Sequence, residues 1–307
     1  MAVTILVTGI SGFAGSYIAE EILKYEDCNI IGLDRYSYAG PMKNLAHLDQ
    51  SRIKLVYHDF THPLDTILPS LGNVDYILHN GAETHVKNSL TDPAPFIASN
   101  IMGTFNMLEA ARILKPKKFL YVSTDEVFGA STIPHKEDDA LTPSNPYSAT
   151  KAAGEYLVRA YGRTYGVPYI ITRTTNLFGK RQHPEKFVPM VLNHLRNHSI
   201  VDIHTDANGE MGSRQWIHAS DQASALVFLL KSDFVNETFH IAGERKTNLE
   251  IADILARATG ETLFWNQINA RQLFSGHDLH YALDDSKLQE TGWSPLLTFI
   301  HGIIETV

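Results

Sequence analysis

Six short runs rich in β-branched residues, at Val3 to Thr8, Asn29 to Leu33, Ile53 to Tyr57, Asp75 to His79, Lys118 to Ser123 and Pro168 to Thr172, recur with helical apolar spacing between them. Strands separated by helices cannot pair as hairpins. Each needs a crossover, and the crossover helices cover both faces of a parallel sheet. The spacing therefore predicts an α/β fold. Helices are expected at Phe13 to Tyr25, Pro93 to Leu114 and Pro146 to Tyr165. The last has a defined start, because Asn145 can cap the free amides and Pro146 takes the first helical position, where a missing N–H is tolerated. After Thr172 the pattern is irregular. Phe178 to His183 and Asp206 to Arg214 are rich in Gly, Arg and His and are expected to build a ligand cleft. A helix at Ala219 to Leu230 and a strand at Thr238 to Ile241 return to the sheet, and a small helical lobe is expected from Asn248 onward. The expected division is residues 1–172 plus about 216–242 in one domain and 173–215 plus 243–307 in a second.

Composition narrows the function classes. Hydrophobic residues make up 44% of the 307 and no stretch approaches the ~18 apolar residues of a membrane span, so no membrane partner is expected. Met1 leads directly into the first strand without a basic leader, and the single Cys28 can form neither an internal disulfide nor a thiolate cluster; both suit the cytoplasm. A net charge of -8 without runs of Lys or Arg argues against nucleic acid. The histidines offer no ligand cluster with a supporting acid at metal spacing, so no metal is expected.

Between the first strand and the first helix stand Gly9, Gly12 and Gly15 at three-residue spacing, with Phe13 and Ala14 opening the helix. Missing side chains there permit a tight turn and the approach of a pyrophosphate to the helix N-terminus. Alone the pattern is weak, since glycines mark ordinary turns; its strand-turn-helix setting strengthens it. Asp34, ending the second strand, is placed to accept from a ribose diol and to repel a 2′-phosphate, which favours NAD over NADP, although the neighbouring Arg35 offers a guanidinium to such a phosphate. Asp59 and Phe60 after the third strand are expected near the adenine and Gly81, Ala82 and Glu83 near the nicotinamide, with Asn100 supporting them from below.

Tyr147 and Lys151 share one helix face, and an ammonium beside a phenol is expected to lower the phenol's pKa toward the working range. Tyr-x-x-x-Lys is common on amphipathic helices. It gains meaning behind a fifth strand that ends in Ser123 and Thr124, either of which can hydrogen-bond the oxygen that Tyr147 deprotonates. Asp125 and Glu126 follow directly. An isolated Asp-Glu pair is commonly a solvated strand end, but at this strand end two carboxylates can divide the acid and base roles of an elimination.

These residues resemble the extended short-chain dehydrogenase/reductase superfamily and, within it, the nucleotide-sugar 4,6-dehydratases of the dTDP-glucose type. The likeness runs through residues 32–40, 82–86, 100–104, 123–129, 147–151, Pro184-Glu185-Lys186, Arg214-Gln215-Trp216 and Gly276-His277-Asp278. It implies a Rossmann-type doubly wound parallel sheet with a smaller C-terminal substrate-binding lobe, and NAD as a tightly bound cofactor that Tyr147, Lys151 and Ser123 also reach. The implied reaction is that of a hydro-lyase. Tyr147, aided by Thr124 and Lys151, deprotonates the sugar 4-hydroxyl as the C4 hydride leaves; Glu126 takes the C5 proton while Asp125 protonates the departing C6 hydroxyl; hydride returns to C6 and a 4-keto-6-deoxy sugar results. The resemblance places Thr84 and His85 at the sugar, and Asn176, Lys186, Arg214 and His277 at the diphosphate and nucleotide. It also implies a homodimer through the helices Pro93 to Leu114 and Pro146 to Tyr165.

The departures lie in the substrate half. Asn176-Leu177-Phe178-Gly179 replaces Asn-Asn-Tyr-Gly, Phe274-Ser275-Gly276-His277-Asp278 replaces Arg-Pro-Gly-His-Asp, and Gln215 replaces an aspartate. A dTDP- or UDP-hexose is favoured, with other nucleobases and N-acetylated hexoses open. A 4-epimerase or decarboxylase would share the cofactor site without needing Asp125 and Glu126, and a non-catalytic NAD sensor would have no use for Tyr147 and Lys151.

Overall fold

The computed structural model describes residues 2–36, 40–206, 208–269 and 278–307. Its strands are β1 (Val3–Thr8), β2 (Cys28–Asp34), β3 (Ile53–Tyr57), β4 (Tyr76–His79), β5 (Lys118–Thr124), β6 (Tyr169–Thr174), β7 (Asn176–Phe178), β8 (Val201–Thr205), β9 (Ser213–His218), β10 (Glu237–Ile241), β11 (Glu244–Thr247) and β12 (Trp265–Asn269).

Seven strands form one sheet in the order β10-β6-β5-β4-β1-β2-β3, and every neighbouring pair is parallel. Such a sheet is covered on both sides, so its strands carry apolar residues on both faces; all seven residues of β5 are buried. Ile5 and Val7 pack with Ile18, Ile22, Leu226 and Leu230 from the helices Phe13–Leu23 and Ala219–Lys231. Leu6, one residue out of phase and so on the opposite face, packs with Phe119 and Tyr121 of β5 and with Met107, Leu108 and Val158 from the helices Gly103–Leu114 and Pro146–Tyr165. The strand order reverses between β1 and β4, and at such a switch point a crevice opens beyond the carboxyl ends of the strands.

The helix Pro146–Tyr165 begins as its sequence dictates: the Asn145 carboxamide accepts from Ser148 N at 2.9 Å in a capping box. The stretch expected as one helix from Pro93 is interrupted. A π-helical segment, Ile97–Met102, lies between Ala94–Phe96 and Gly103–Leu114, and inside it Asn100 is buried.

A separate apolar cluster joins Phe178, Val191, Leu195, Val201, Ile203, Trp216, Ile251, Leu255 and Ile303. It is not the purely helical lobe that the sequence suggests. A three-stranded sheet, β11-β9-β7, and a parallel pair, β8 with β12, build it together with helices Phe187–Arg196 and Asn248–Thr259. Among the described residues, no helix is long and apolar enough to cross a membrane.

Candidate active site

The turn after β1 is shaped by what its glycines leave out. Gly9 has φ +65°, and a Cβ on it would lie 2.8 Å from Gly81 Cα; a Cβ on Gly15 would lie 2.0 Å from Gly9 O. Gly9 thus lets the loops after β1 and β4 touch, whereas Gly15 seats the helix on the loop and does not itself line the cleft. Beneath them Thr8 Oγ1 accepts from Gly81 N at 2.9 Å and bonds His79 Nδ1 at 2.8 Å. Burial holds the His79 pKa down to about 3, so the ring is a neutral structural tie.

The crevice brings together Gly9, Gly12, Phe13, Ala14, Asp34, Arg35, Phe60, Ala82, Thr84, His85, Ser123, Thr124, Asp125, Glu126, Tyr147, Lys151, Asn176 and Lys186. Gly15, Asp59, Asn100 and Arg214 lie outside its lining, and His277 lies outside the described residues. Asp34 is buried and accepts from Ser11 N at 2.9 Å, Ser11 Oγ at 2.7 Å and Tyr36 N at 2.8 Å, so it staples the glycine loop as well as facing the cleft. Arg35 is not free to receive a 2′-phosphate: it is held by Asp59 at 3.2 Å and Glu83 at 2.5 Å. Asp59, expected near the adenine, is turned instead to Arg35 and to Thr61 N. Asn100 does support the loop after β4 from behind. Its carboxamide accepts from Glu83 N at 2.9 Å and donates to Glu83 O and Thr150 Oγ1, both at 3.0 Å.

These residues fit a dinucleotide. The glycines form a cradle that side chains would fill, and Ser123 Oγ is buried at the mouth of β5 without a partner among the described residues.

Beyond Thr124 the chain enters a tight 3-10 turn, Asp125–Phe128, capped by Thr124 Oγ1, which accepts from Glu126 N at 3.3 Å and donates to Asp125 Oδ1 at 3.1 Å. Asp125 is buried, and its Oδ2 has no partner among the described residues. Burial and the adjacent Glu126 push its pKa up to about 7, against the opposing pull of Arg214. Burial also raises Glu126, but two cations, Arg214 and Lys186, draw it back toward the ionised form. Neighbouring carboxylates thus meet different surroundings, the condition for dividing acid and base roles.

The structure corrects the expected phenol chemistry. Lys151 does not press its ammonium on Tyr147: its Nζ donates to Val122 O at 2.7 Å and lies 4.3 Å from the centre of the Tyr121 ring. Burial lowers the Lys151 pKa to about 7. The Tyr147 phenol is instead raised well above its ordinary value, first by burial and then by the charge of Glu126, and its hydrogen bond is to Thr124.

On the substrate side Lys186 Nζ donates to Thr84 O at 3.2 Å and His85 Nε2 lies 3.8 Å from Glu185 Oε2. The Arg214 guanidinium stacks 4.4 Å from the centre of the Tyr281 ring and donates to Asp278 O. It acts on Asp125 and Glu126 through its field. Sequence reasoning missed Asn80, Thr174, Thr175, Gln182 and Gln222 in the lining, and Tyr281 behind Glu126. For Thr174 and Thr175 a signal existed, since β6 runs two residues past its expected end and strand ends line such crevices. Among the described residues no group of three or more His, Cys, Asp or Glu is arranged to hold a metal ion.

Known proteins are similar to this chain in sequence and in fold. The low-salt glycan biosynthesis protein Agl12 of Haloferax volcanii is 36% identical over 302 residues, covering 97% of this chain and 96% of that protein. The dTDP-glucose 4,6-dehydratase of Streptomyces niveus is 35% identical, covering 99% of this chain and 91% of its own. In structure, the dTDP-glucose 4,6-dehydratase DesIV of Streptomyces venezuelae, solved with NAD and TYD bound, matches with a TM-score of 0.91 at 34% identity, covering 99% of this chain and 95% of that one. The UDP-glucuronic acid 4-epimerase of Bacillus cereus, in complex with UDP-glucuronic acid and NAD, matches at 0.90 and 26% identity, covering 99% and 97%. Residues 5–242 match the model of the NAD dependent epimerase/dehydratase family. The chain belongs to the NAD dependent epimerase/dehydratase family.

Proposed function

We propose that this NAD-dependent enzyme is a nucleotide-diphosphate-hexose 4,6-dehydratase, with a dTDP- or UDP-hexose as substrate and a 4-keto-6-deoxy sugar as product. The observation that carries this reading over a 4-epimerase is the pair Asp125 and Glu126 in unlike surroundings at the crevice. An epimerase has no elimination for a second carboxylate to serve. The chemistry NAD supplies when bound is a reversible hydride store, filled from C4 and emptied onto C6. The chain's own groups move the protons. Tyr147 takes the proton of the 4-hydroxyl, and because its phenol is raised rather than lowered it passes its own proton onward to Thr124 instead of starting ionised. Thr124 already donates to Asp125, so that proton has a route to the Asp125 carboxylate, which releases it to the departing C6 hydroxyl as water. A pKa of about 7 lets Asp125 both receive and release it near neutrality. Glu126 takes the C5 proton and later returns one to C5. Thr84 and His85 flank the hexose, while Asn176, Lys186, Arg214 and His277 serve the diphosphate and nucleotide; cations suit such a ligand in an acidic protein.

The test is the fate of deuterium placed on C4 of dTDP- and UDP-glucose. Its appearance in the product methyl group supports the dehydratase, and its return to C4 with inverted configuration means an epimerase. We also propose a homodimer through the helix pair named above, where Met102 and Tyr156 are 47% and 59% exposed despite their apolar bulk. Light scattering at the mass of one chain contradicts it.

A further inference from the structure

Glu126 is flanked on its far side by a group that neither the sequence reading nor the proposed steps use. Tyr281 is buried at 4% exposure, and its hydroxyl lies 2.9 Å from Asp278 Oδ2 and 3.4 Å from Glu126 Oε2. The first distance is an ordinary O–H···O hydrogen bond and the second is long for one. The phenol proton therefore rests on the Asp278 side, and the Tyr281 oxygen turns a lone pair toward Glu126. Asp278 also accepts from Ser144 Oγ, and Ser144 is exposed, so the line of groups runs from the half-buried base to solvent. The segment that carries it is fixed. Gln215 pairs with both backbone groups of Leu283, at 2.7 and 3.1 Å, and Ser131 N and His135 N donate to His280 O and Ala282 O.

We propose that Tyr281 and Asp278 form a proton relay that exchanges the Glu126 proton with solvent. The inference rests on the dehydratase reading. Once Glu126 has taken the C5 proton, its carboxyl O–H donates to the Tyr281 oxygen while the Tyr281 hydroxyl proton passes to the Asp278 carboxylate; one O–H bond breaks and one forms at each hop. Asp278 then gives its proton to water, and the reverse passage brings a solvent proton to Glu126 for return to C5. Burial beside Glu126 keeps the phenol neutral throughout, so the two hops are coupled and no phenolate stands free. Without the relay Glu126 hands back the proton it removed.

The experiment is turnover in D2O with substrate carrying deuterium on C4, reading product labels at C5 and C6 separately. The native enzyme is expected to place solvent deuterium at C5 and the C4 label at C6. Tyr281→Phe is expected to keep C4-to-C6 transfer in the product it makes while C5 deuterium per product falls about tenfold or more, the loss of an assisted proton transfer. Asp278→Asn, which can accept a hydrogen bond but not a proton, is expected to do the same and decides the matter if Tyr281→Phe does not fold. Full C5 deuterium in both variants overturns the relay, as does a native enzyme that moves the C4 label to C6 but leaves C5 unlabelled. Failure of the C4 label to reach C6 in the native enzyme instead sinks the dehydratase reading and the relay with it.

Discussion

Asp125→Asn should abolish elimination and stabilise the protein, with a gain set by pH. The native carboxyl has its pKa raised from an ordinary 3.8 to about 7 by burial and by Glu126. For a carboxyl raised on folding, the native state binds the proton that the unfolded chain releases between these values, so wild-type stability falls as pH climbs from about 4 to about 7 and then levels. The asparagine has no charge to bury. At about 1.36 kcal/mol per pKa unit, three units amount to roughly 4 kcal/mol when fully developed. At pH 5 only part has appeared, about 2 kcal/mol, and near pH 3 the two proteins carry the same neutral group and the term vanishes. Urea unfolding of both proteins at pH 5 and pH 8.5 measures it, because a constant change from the altered hydrogen bond to Thr124 cancels between the two conditions. A stability difference that stays flat with pH, or that favours the wild type more strongly at pH 8.5 than at pH 5, refutes the assignment of Asp125 as a carboxyl kept partly neutral by its site.

Glu126→Gln should retain bound NAD, visible as cofactor that co-purifies, while turnover and C5 exchange fall by about 10²–10⁴-fold; full activity removes Glu126 as the base. Gly15→Ala drives a methyl group to 2.0 Å from Gly9 O and should cost about 1–3 kcal/mol in thermal unfolding and weaken NAD binding, whereas a variant unchanged in both means the loop has room that the geometry denies. Arg173 and Glu155 form a fully buried pair at 2.8 Å, so Arg173→Met should cost about 3–5 kcal/mol by leaving Glu155 uncompensated, and Glu155→Met added to it should recover most of the loss; denaturant midpoints of the single and double variants decide.

Much of the sheet was legible because each of its strands is a short, locally complete signal. β5 lies within one residue of its expected end, and the helix Pro146–Tyr165 has its expected bounds, its start set by Asn145 and Pro146. Placing strand ends also placed Ser123 to Glu126, since position along a parallel strand is enough to bring a residue to the crevice. The substrate half was opaque for the opposite reason. β12 presents mostly exposed residues and pairs with β8 more than sixty positions earlier, so it carries no burial pattern of its own. Charge environments were opaque as well. The four-residue spacing of Tyr147 and Lys151 fixes a shared helix face, but only the fold reveals that the lysine amine is spent on Val122 O. Tyr281 gave no local clue, since its partners Glu126 and Ser144's acceptor Asp278 meet only when distant segments close on one another.

The edge strand β10 is sewn between pieces of the lobe in chain order: it follows β9, precedes β11, yet registers Glu237 to Ile241 against Ile170 to Thr174 of the main sheet. Gene recombination therefore has no single splice point that exchanges one sugar preference for another. A chimera cut once beyond β6 inherits a foreign border for the cofactor sheet, and a clean graft needs two junctions ahead of β10 and a third behind it, which ties the drift of one half of the molecule to the tolerance of the other.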